Sequence, residues 1–283
     1  MKWLVTGSGG MLGTDLVEML RTGGEDVTAA TRADLDVTDA EAVRAAVAGH
    51  DIVVNTAAWT AVDDAEEHEA AATLVNAEGP RLVARAAREL GARLVQVSTD
   101  YVFDGSARSP YPEDAPTLPA SAYGRSKALG ERAVRQELPG GHLLVRTAWL
   151  YGAHGGCFPK TIARVARERG RVDVVDDQHG QPTWTRDVAE LVLRLVRSDA
   201  PAGTYHATSS GQTSWCGFAG EVVAAAGLDP ACVHPTTSDR FVRPAPRPAY
   251  SVLGHDALRR IGLEPIAEWR RRWAEAAPSV LAE

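Results

Sequence analysis

Near its start the chain reads Val5-Thr-Gly7-Ser-Gly-Gly10-Met-Leu-Gly13, between a hydrophobic run at 2–5 and a helical pattern at 11–21. A strand, a glycine-rich turn and a helix in this order are the fingerprint of a dinucleotide-binding unit. Gly7 permits a tight turn, Gly10 lets the backbone approach a pyrophosphate, and Gly13 permits close packing of helix on strand. We expect the pyrophosphate at the start of the helix, beside Met11 and Leu12. An ordinary glycine turn is the alternative.

Strand and helix patterns alternate through the first 150 residues, which predicts an α/β fold with a doubly wound parallel sheet of the Rossmann type. Apolar runs predict buried strands at 2–5, 27–30, 52–55, 94–98 and 143–147. The helical patterns of this half lie at 11–21, 40–48, 69–90 and 122–137. After about residue 150, loops rich in glycine and proline separate helical patterns at 161–169, 187–197 and 218–226.

This change of texture predicts two parts. Residues 1–150 form a dinucleotide-binding domain, whose sheet is completed by parts of 170–207, and residues 151–283 mainly form a small C-terminal substrate-binding lobe. Ligands of doubly wound folds bind at the carboxyl ends of the strands. The site is therefore expected between the sheet and the lobe.

Composition excludes several classes of protein. The formal net charge of -7 disfavours a nucleic-acid partner, because no basic excess is present to neutralise phosphates. No apolar stretch approaches the roughly 20 residues of a membrane span, and no secretory signal opens the sequence. Three widely spaced cysteines predict neither a disulfide framework nor a zinc site, and eight histidines share no ligand spacing. We predict a cytoplasmic protein with reduced thiols.

Two further segments predict contacts with the cofactor. The second strand ends before Arg32, and an arginine there suits a 2′-phosphate, which favours NADPH and leaves NADH as a second cofactor. Asp36 and Val37 are placed to flank the adenine, although Asp36 is equally typical of a turn or helix cap. The third strand ends in Asn55-Thr-Ala-Ala58-Trp-Thr60, where small residues leave room for the cofactor at Ala57, Ala58 and Thr60.

Tyr123 and Lys127 stand four residues apart, so a helix places the phenol and the ammonium on one face. Thr99 ends the fourth strand and brings a hydroxyl to the same edge of the sheet. Ketone reduction needs a proton donor, and Tyr123 can serve if Lys127 and the positive charge of the nicotinamide lower the pKa of the phenol. Thr99 would orient the carbonyl oxygen. The alternative is an exposed tyrosine and a surface lysine.

With these motifs the chain resembles an extended short-chain dehydrogenase/reductase, and within that group the dTDP-4-dehydrorhamnose reductase family. The resemblance runs nearly end to end. Its more specific segments are Asn55-Thr-Ala-Ala-Trp-Thr-Ala-Val-Asp63, Ser98-Thr-Asp-Tyr-Val-Phe-Asp-Gly105, Tyr123-Gly-Arg-Ser-Lys-Ala-Leu-Gly-Glu131, Arg146-Thr-Ala-Trp-Leu-Tyr-Gly152, Asp177-Gln-His-Gly-Gln-Pro-Thr183 and Arg247-Pro-Ala-Tyr-Ser251.

The resemblance implies NADPH-dependent reduction of the 4-keto group of a dTDP-4-keto-6-deoxyhexose. It makes Tyr123 the proton donor, places Lys127 on the nicotinamide ribose, and sets Thr99 on the keto oxygen. It also implies substrate contacts from Asp100, Tyr101, Trp149 and Arg247, with a core position as the alternative for Trp149 and a role in shaping its loop as the alternative for Arg247.

Some points stay open in the resemblance. Some family members hold magnesium between two subunits, and Asp15 matches one such position. The other positions have no counterpart that we identify, so we predict no metal requirement. The segments 154–157 and 215–218 differ from the family pattern, which leaves the sugar open. A nucleotide-sugar epimerase or dehydratase and a non-catalytic NADP-binding regulatory subunit are the alternatives, and a homodimer is possible.

Overall fold

The structure is a computed structural model that describes residues 1–282. Its centre is a parallel sheet of six strands in the order β2-β1-β3-β4-β5-β6. The strands are β1 Lys2–Thr6, β2 Asp26–Ala30, β3 Ile52–Asn55, β4 Arg93–Thr99, β5 His142–Thr147 and β6 Gly203–His206. The predicted α/β sheet is confirmed. The sheet reverses its order beside β1, so the carboxyl ends of β1 and β3 open a crevice there.

Helices cover both faces of the sheet. The strand side chains alternate between the faces, so Trp3 and Val5 pack on one side and Leu4 on the other. The first face carries α1 Met11–Thr22 and the helix Thr185–Arg197, which is numbered α6 below. The second carries α2 Ala40–Val47, α3 Gly79–Leu90 and α4 Ala122–Glu137.

The helical pattern predicted at 69–90 is not one helix. A short helix at Glu69–Thr73 passes into a π-helical turn at Leu74–Glu78 before α3 begins, and another short helix spans Asp64–Glu67. Pro80 lies in the first turn of α3 and has no N–H to donate. The π turn carries Asn76 against α4, where a Cβ on Gly130 would collide with the carbonyl oxygen of Asn76.

A smaller group of elements follows β5. Its helices are α5 Phe158–Arg169, α6, α7 Trp215–Ala225 and α8 Trp269–Val280, with a short helix at Asp256–Arg260. Aromatic side chains fill the core between α5, α7 and α8. The paired short strands are Leu150–Tyr151 with Thr183–Trp184, Val172–Val175 with Val233–Thr236, His179–Gly180 with Thr213–Ser214, and Ser209–Ser210 with Ile266–Glu268. Single 3-10 turns occur at Asp100–Val102, Pro230–Cys232 and Ser238–Arg240.

β6 and α6 come from the second half of the sequence yet belong to the sheet and its first face. The division at residue 150 stays a prediction, and its last residue, 283, lies outside the described part. Within residues 1–282, no helix has both the length and the apolar character that a membrane crossing requires. The cysteines Cys157, Cys216 and Cys232 are free thiols.

Candidate active site

The glycine turn lies against the loop that follows β3. Gly7 has φ of 68°, and a Cβ there would lie 2.6 Å from the backbone nitrogen of Ala57. A Cβ on Gly13 would collide with the carbonyl oxygen of Gly7. Only glycine fits at these two positions without moving backbone. The turn therefore has the compactness that a pyrophosphate-binding loop needs.

Gly10 is the N-cap of α1 and offers no side chain to its first turn, which contains no acidic residue. The amide groups at the start of α1 are thus directed at the crevice and suited to an anion. The side chain of Met11 packs near Gly152, and that of Leu12 lies in the core. Any contact of Leu12 with a cofactor would come from its backbone.

The predicted adenine side lies beyond β2. Arg32 is exposed, two residues after the last residue of β2. Asp36 accepts hydrogen bonds from the backbone nitrogen and hydroxyl of Thr38 at 2.9 and 2.7 Å, as its turn interpretation predicts. Asp39, not Asp36, caps α2. Val37 is buried against Gly79.

The small residues after β3 line the same crevice. Ala57 and Ala58 are partly buried, and Thr60 is exposed. Below them, three buried side chains join the strand ends: the Thr6 hydroxyl donates to Asn55 at 2.6 Å, and the Asn55 amide donates to Gln96 at 2.8 Å. This polar chain fixes β1, β3 and β4 side by side under the crevice. This chain of hydrogen bonds was not predicted from the sequence.

α4 carries the Tyr123 and Lys127 pair to the carboxyl end of β4. The Ser121 hydroxyl caps α4 by accepting from the backbone of Gly124 at 3.1 Å. The Lys127 ammonium donates to the carbonyl oxygen of Val97 at 2.7 Å, and the Tyr123 phenol is hydrogen-bonded to Thr99. The structure thus brings together all three predicted catalytic side chains, and both Tyr123 and Lys127 are buried.

Asn76 of the π turn holds α4 from the other side. Its amide donates to the Ser126 hydroxyl at 2.9 Å and to the carbonyl oxygen of Trp59 at 3.0 Å, and its oxygen accepts from the Trp59 backbone at 2.8 Å. The Ser126 hydroxyl in turn donates to the carbonyl oxygen of Tyr123 at 2.7 Å. The loop after β3 and the catalytic turn of α4 are therefore tied through one buried amide. The sequence offered no local signal for Asn76.

Burial raises the pKa of the Tyr123 phenol above its ordinary value, and the Thr99 hydrogen bond only partly opposes this. The sequence predicted that Lys127 and the positive charge of the nicotinamide together lower that pKa, and this stays a prediction for the cofactor-bound site. The physical reason for the rise is that Tyr123 is removed from water and the Lys127 ammonium is held by Val97 instead.

Burial lowers the pKa of Lys127 to about 8, and the nearby Glu131 carboxylate opposes the shift. Glu131 follows Lys127 by one helical turn and pairs with the buried Arg146 of β5 at 2.7 Å. Both residues stand in motifs of the sequence, but neither was predicted to belong to the site. The signal available for Glu131 was its spacing from Lys127, since residues four apart share a helix face.

Asp100 and Tyr101 form the turn directly after Thr99. The Thr99 hydroxyl donates to Oδ1 of Asp100 at 2.9 Å, and burial raises the pKa of Asp100 to about 6. The Tyr101 ring meets the Tyr123 ring edge-on, with centroids 5.6 Å apart. Both predicted substrate contacts therefore adjoin the catalytic pair, but Asp100 is almost wholly buried.

Arg247 connects the C-terminal part to the loop after β3. Its guanidinium donates to the Asp63 carboxylate at 2.9 Å, and the backbone of Ala245 donates to the same carboxylate at 3.2 Å. Arg243 approaches Asp63 to 3.9 Å. Tyr101 lies close enough to Arg247 for that charge to lower its pKa, although burial raises it more. Asp63 is the last residue of the motif 55–63, and no role was predicted for it from the sequence.

Trp149 lies just beyond β5, two residues after Thr147, the register partner of Thr99. Its backbone has φ of 46°, in the left-handed region that a bulky residue rarely adopts. Its ring stacks on Trp215, with centroids 3.5 Å apart and planes 5° apart. Trp149 is therefore part of an aromatic wall at the end of the sheet.

Three potential metal ligands meet beside α1. Nε2 of His154 lies 3.6 Å from carboxylate oxygens of both Asp15 and Glu18, and Asp15 also accepts a hydrogen bond from Thr185. An imidazole in the set suits magnesium poorly, because magnesium prefers oxygen ligands. Protonated His154 would instead pair with both carboxylates. The absence of a metal requirement stays a prediction.

The RmlD substrate binding domain family matches residues 1–281 of this chain. A dTDP-4-dehydrorhamnose reductase of Streptomyces griseus is 51% identical, and the match covers 99% of this chain and 94% of the relative. This chain belongs to the dTDP-4-dehydrorhamnose reductase family. The family resemblance predicted from the sequence is thus confirmed, and the reductase family makes the chain an oxidoreductase.

Two other members of the reductase family bear on the fold and the sugar. A Streptomyces antibioticus protein described as a probable dTDP-4,6-dihydroxy-2-methyloxan-3-one 4-ketoreductase is 53% identical over 100% of this chain and 96% of its own length. The solved dTDP-4-dehydrorhamnose reductase of Bacillus anthracis, in complex with NADP, has a TM-score of 0.94 at 35% identity. It covers 98% of this chain and 99% of its own.

Proposed function

We propose that the protein reduces the 4-keto group of a dTDP-4-keto-6-deoxyhexose with NADPH, in the biosynthesis of a deoxysugar. The observation that carries this proposal is the buried Tyr123 phenol, hydrogen-bonded to Thr99 and one helical turn from Lys127. These groups lie at the same carboxyl edge of the sheet as the glycine turn, whose cradle has no room for a Cβ at Gly7 or Gly13. Proton donor and cofactor loop thus share one edge of the sheet.

The glycine turn and the start of α1 would hold the pyrophosphate, and Arg32 the 2′-phosphate. NADPH supplies the hydride for the ketone when it is bound. The Thr99 hydroxyl, which donates to Asp100 in the structure, would turn its hydrogen to the keto oxygen and orient it, and Tyr123 would transfer its proton to that oxygen as negative charge develops. The Lys127 ammonium, fixed by Val97, holds the nicotinamide ribose.

Asp100, Tyr101, Trp149 and Arg247 bind the substrate on the side of the C-terminal part. Tyr101 lies between the catalytic phenol and the Arg247 charge, so it bridges the sugar and nucleotide ends of the site. An arginine there suits a diphosphate, which accepts two parallel hydrogen bonds from one guanidinium. A cytoplasmic location and a homodimer remain predictions from the sequence.

The test is the loss of NADPH absorbance with freshly prepared dTDP-4-keto-6-deoxyhexose, with and without a 3,5-epimerase. Stoichiometric loss in either mixture supports the reductase. Loss only with the epimerase assigns a rhamnose-type substrate, and loss without it assigns an unepimerised sugar. NADPH that binds but is never consumed would favour the regulatory alternative. Isomerised sugar without NADPH loss would favour an epimerase.

A further inference from the structure

The aromatic wall at the end of β5 consists of Trp149, Trp215 and Phe158. Trp215 stacks on Trp149, and Phe158 contacts the Trp215 ring with centroids 4.4 Å apart. The wall presents indole and phenyl carbon, and its polar atoms are two indole N–H groups. Such a surface accommodates methyl and methylene groups and leaves a hydroxyl without a partner.

Strain at Trp149 indicates that the position of its ring is imposed by its surroundings. A residue held in the left-handed region persists only where neighbours fix it, and such residues concentrate at functional sites. Gly180 lies so close to the Trp149 ring that a Cβ would collide with it. Gly180 pairs with Thr213, and the next residue, Ser214, caps α7 in front of Trp215. The pair of short strands at 179–180 and 213–214 therefore positions both residues that contact the Trp149 ring, Gly180 and Trp215.

One residue of the wall, Trp215, lies in a segment that differs from the family pattern, whereas Trp149 lies in the matching motif 146–152. Trp215 opens the segment 215–218, and Phe158 follows the segment 154–157. The shared catalytic groups lie on β4 and α4 instead. A residue of a distinctive segment that stacks on the shared Trp149 is suited to distinguish substrates rather than to perform the common reaction.

Distance sets which substrate group meets the wall. Thr99 and Thr147 are register partners on neighbouring strands, which run about 4.8 Å apart. Because Trp149 follows Thr147 by two residues, a sugar whose keto oxygen lies on Thr99 and Tyr123 would extend toward the end of β5 that carries Trp149. In a 4-keto-6-deoxyhexose the apolar substituent beside the ketone is the methyl group on C5. Inversion at C5 moves that methyl to the other face of the ring.

We propose that Trp215, through its stack on Trp149, is the residue that selects the C5 configuration of the sugar. The inference rests on the proposed reductase function and extends it to a specificity determinant. One C5 epimer places its methyl on the wall, and the other turns the methyl away from it. Loss of one hydrophobic group from a fitted pocket changes kcat/KM by about 10–200-fold.

The experiment compares kcat/KM for NADPH oxidation on the sugar with and without 3,5-epimerase, and with a 3-epimerase alone as the control for the inversion at C3. It uses the wild-type chain, Trp215→Ala and Trp215→Phe. We expect the ratio between the two sugars to fall at least about tenfold in Trp215→Ala. Trp215→Phe retains an aromatic ring against Trp149 and should keep most of the discrimination. NADPH affinity, measured by titration, should be unchanged in all three proteins, which verifies that the variants are folded.

The outcomes separate the two hypotheses. If the wild type oxidises NADPH with neither sugar, the proposed function fails. If the wild type discriminates and Trp215→Ala keeps the same ratio, the function stands and the role of Trp215 is refuted. A wild type that uses both sugars equally also refutes it. Should Trp215→Ala lose NADPH binding, the ratio measured in Trp215→Phe against Trp215→Leu decides instead.

Discussion

The Glu131 carboxylate of α4 accepts two hydrogen bonds from the Arg146 guanidinium of β5. Nε donates to Oε1 at 2.8 Å and Nη2 to Oε2 at 2.7 Å, and each side chain is only 1% exposed. Removal of one partner from such a buried pair costs about 3–5 kcal/mol of stability. Glu131 also lies one helical turn from Lys127. The same carboxylate therefore stabilises the fold through Arg146 and acts on the charge of Lys127 in the active site.

Glu131→Gln should shift the alkaline limit of NADPH binding to lower pH. The Glu131 carboxylate favours the Lys127 ammonium, whose pKa burial lowers to about 8. Without that charge the pKa falls further, so the ammonium is lost at lower pH. NADPH titrations across pH, below the unfolding temperature of the variant, measure the shift. Glu137→Gln, near the end of α4, is the control, and an unmoved limit in Glu131→Gln would contradict the coupling.

Tyr123→Phe should lower kcat for ketone reduction by about 100-fold or more, the usual contribution of a positioned proton donor. The dissociation constant of NADPH should stay nearly the same, because the phenyl ring fills the same buried space. Lys127→Ala should instead weaken both turnover and NADPH binding. Full turnover by Tyr123→Phe would remove the phenol from the mechanism.

Gly13→Ala should abolish NADPH binding, because its Cβ would collide with the backbone of the glycine turn. Gly140→Ala is the matched control, since no atom lies within 4 Å of a Cβ at that position. Fluorescence titration with NADPH compares the two variants, with thermal unfolding as a check of the fold. Equal affinity in both would mean that the turn does not hold the pyrophosphate.

Asp100→Asn should stabilise the protein at neutral pH while it impairs turnover. Burial raises the Asp100 pKa to about 6, so the folded state prefers the protonated carboxyl. Its contribution is fully present below the unfolded pKa of about 3.9 and is lost as pH rises through about 6. The two units correspond to an upper limit of about 3 kcal/mol. Urea unfolding at several pH values should show the gain above that range and none below it.

Arg32→Ala should reduce the preference for NADPH over NADH by about tenfold, because one charged hydrogen bond to the 2′-phosphate contributes about 1.5–3 kcal/mol. The ratio of kcat/KM for the two cofactors measures the change. Arg44→Ala, an exposed arginine on α2, is the control. If Arg32→Ala keeps the wild-type ratio, the 2′-phosphate is bound elsewhere.

The sheet was predictable because its signals are local. The five strands before residue 150 were predicted to within one residue at each end, since buried parallel strands are short apolar runs between turns. The sixth, Gly203–His206, contains glycine and histidine and has no such run. Its place in the sheet depends on pairing with β5. The π turn at Leu74–Glu78 was missed because helical periodicity does not record one extra residue per turn.

The active site, like the sheet, has one part that local sequence predicts and another that depends on the assembled fold. Motif spacing predicted Tyr123, Lys127 and the glycine turn, and the family assignment is confirmed. The Asp63 contact with Arg247 joins residues 184 positions apart, which no local pattern encodes. The rise that burial gives the Tyr123 pKa in the chain alone was not predicted, because burial depends on the assembled fold. The stack of Trp215 on Trp149 likewise needs the C-terminal part in place.

The late arrival of β6 has a consequence for synthesis of the protein. β5 lies between β4 and β6, so its outer edge stays unpaired until residues 203–206 leave the ribosome. At about 5–20 residues per second, translation of 148–202 takes several seconds. During that interval a strand whose six residues are all buried in the finished fold presents an open edge to other chains. A nascent chain paused in this stretch is therefore where chaperone binding, or aggregation in its absence, should concentrate.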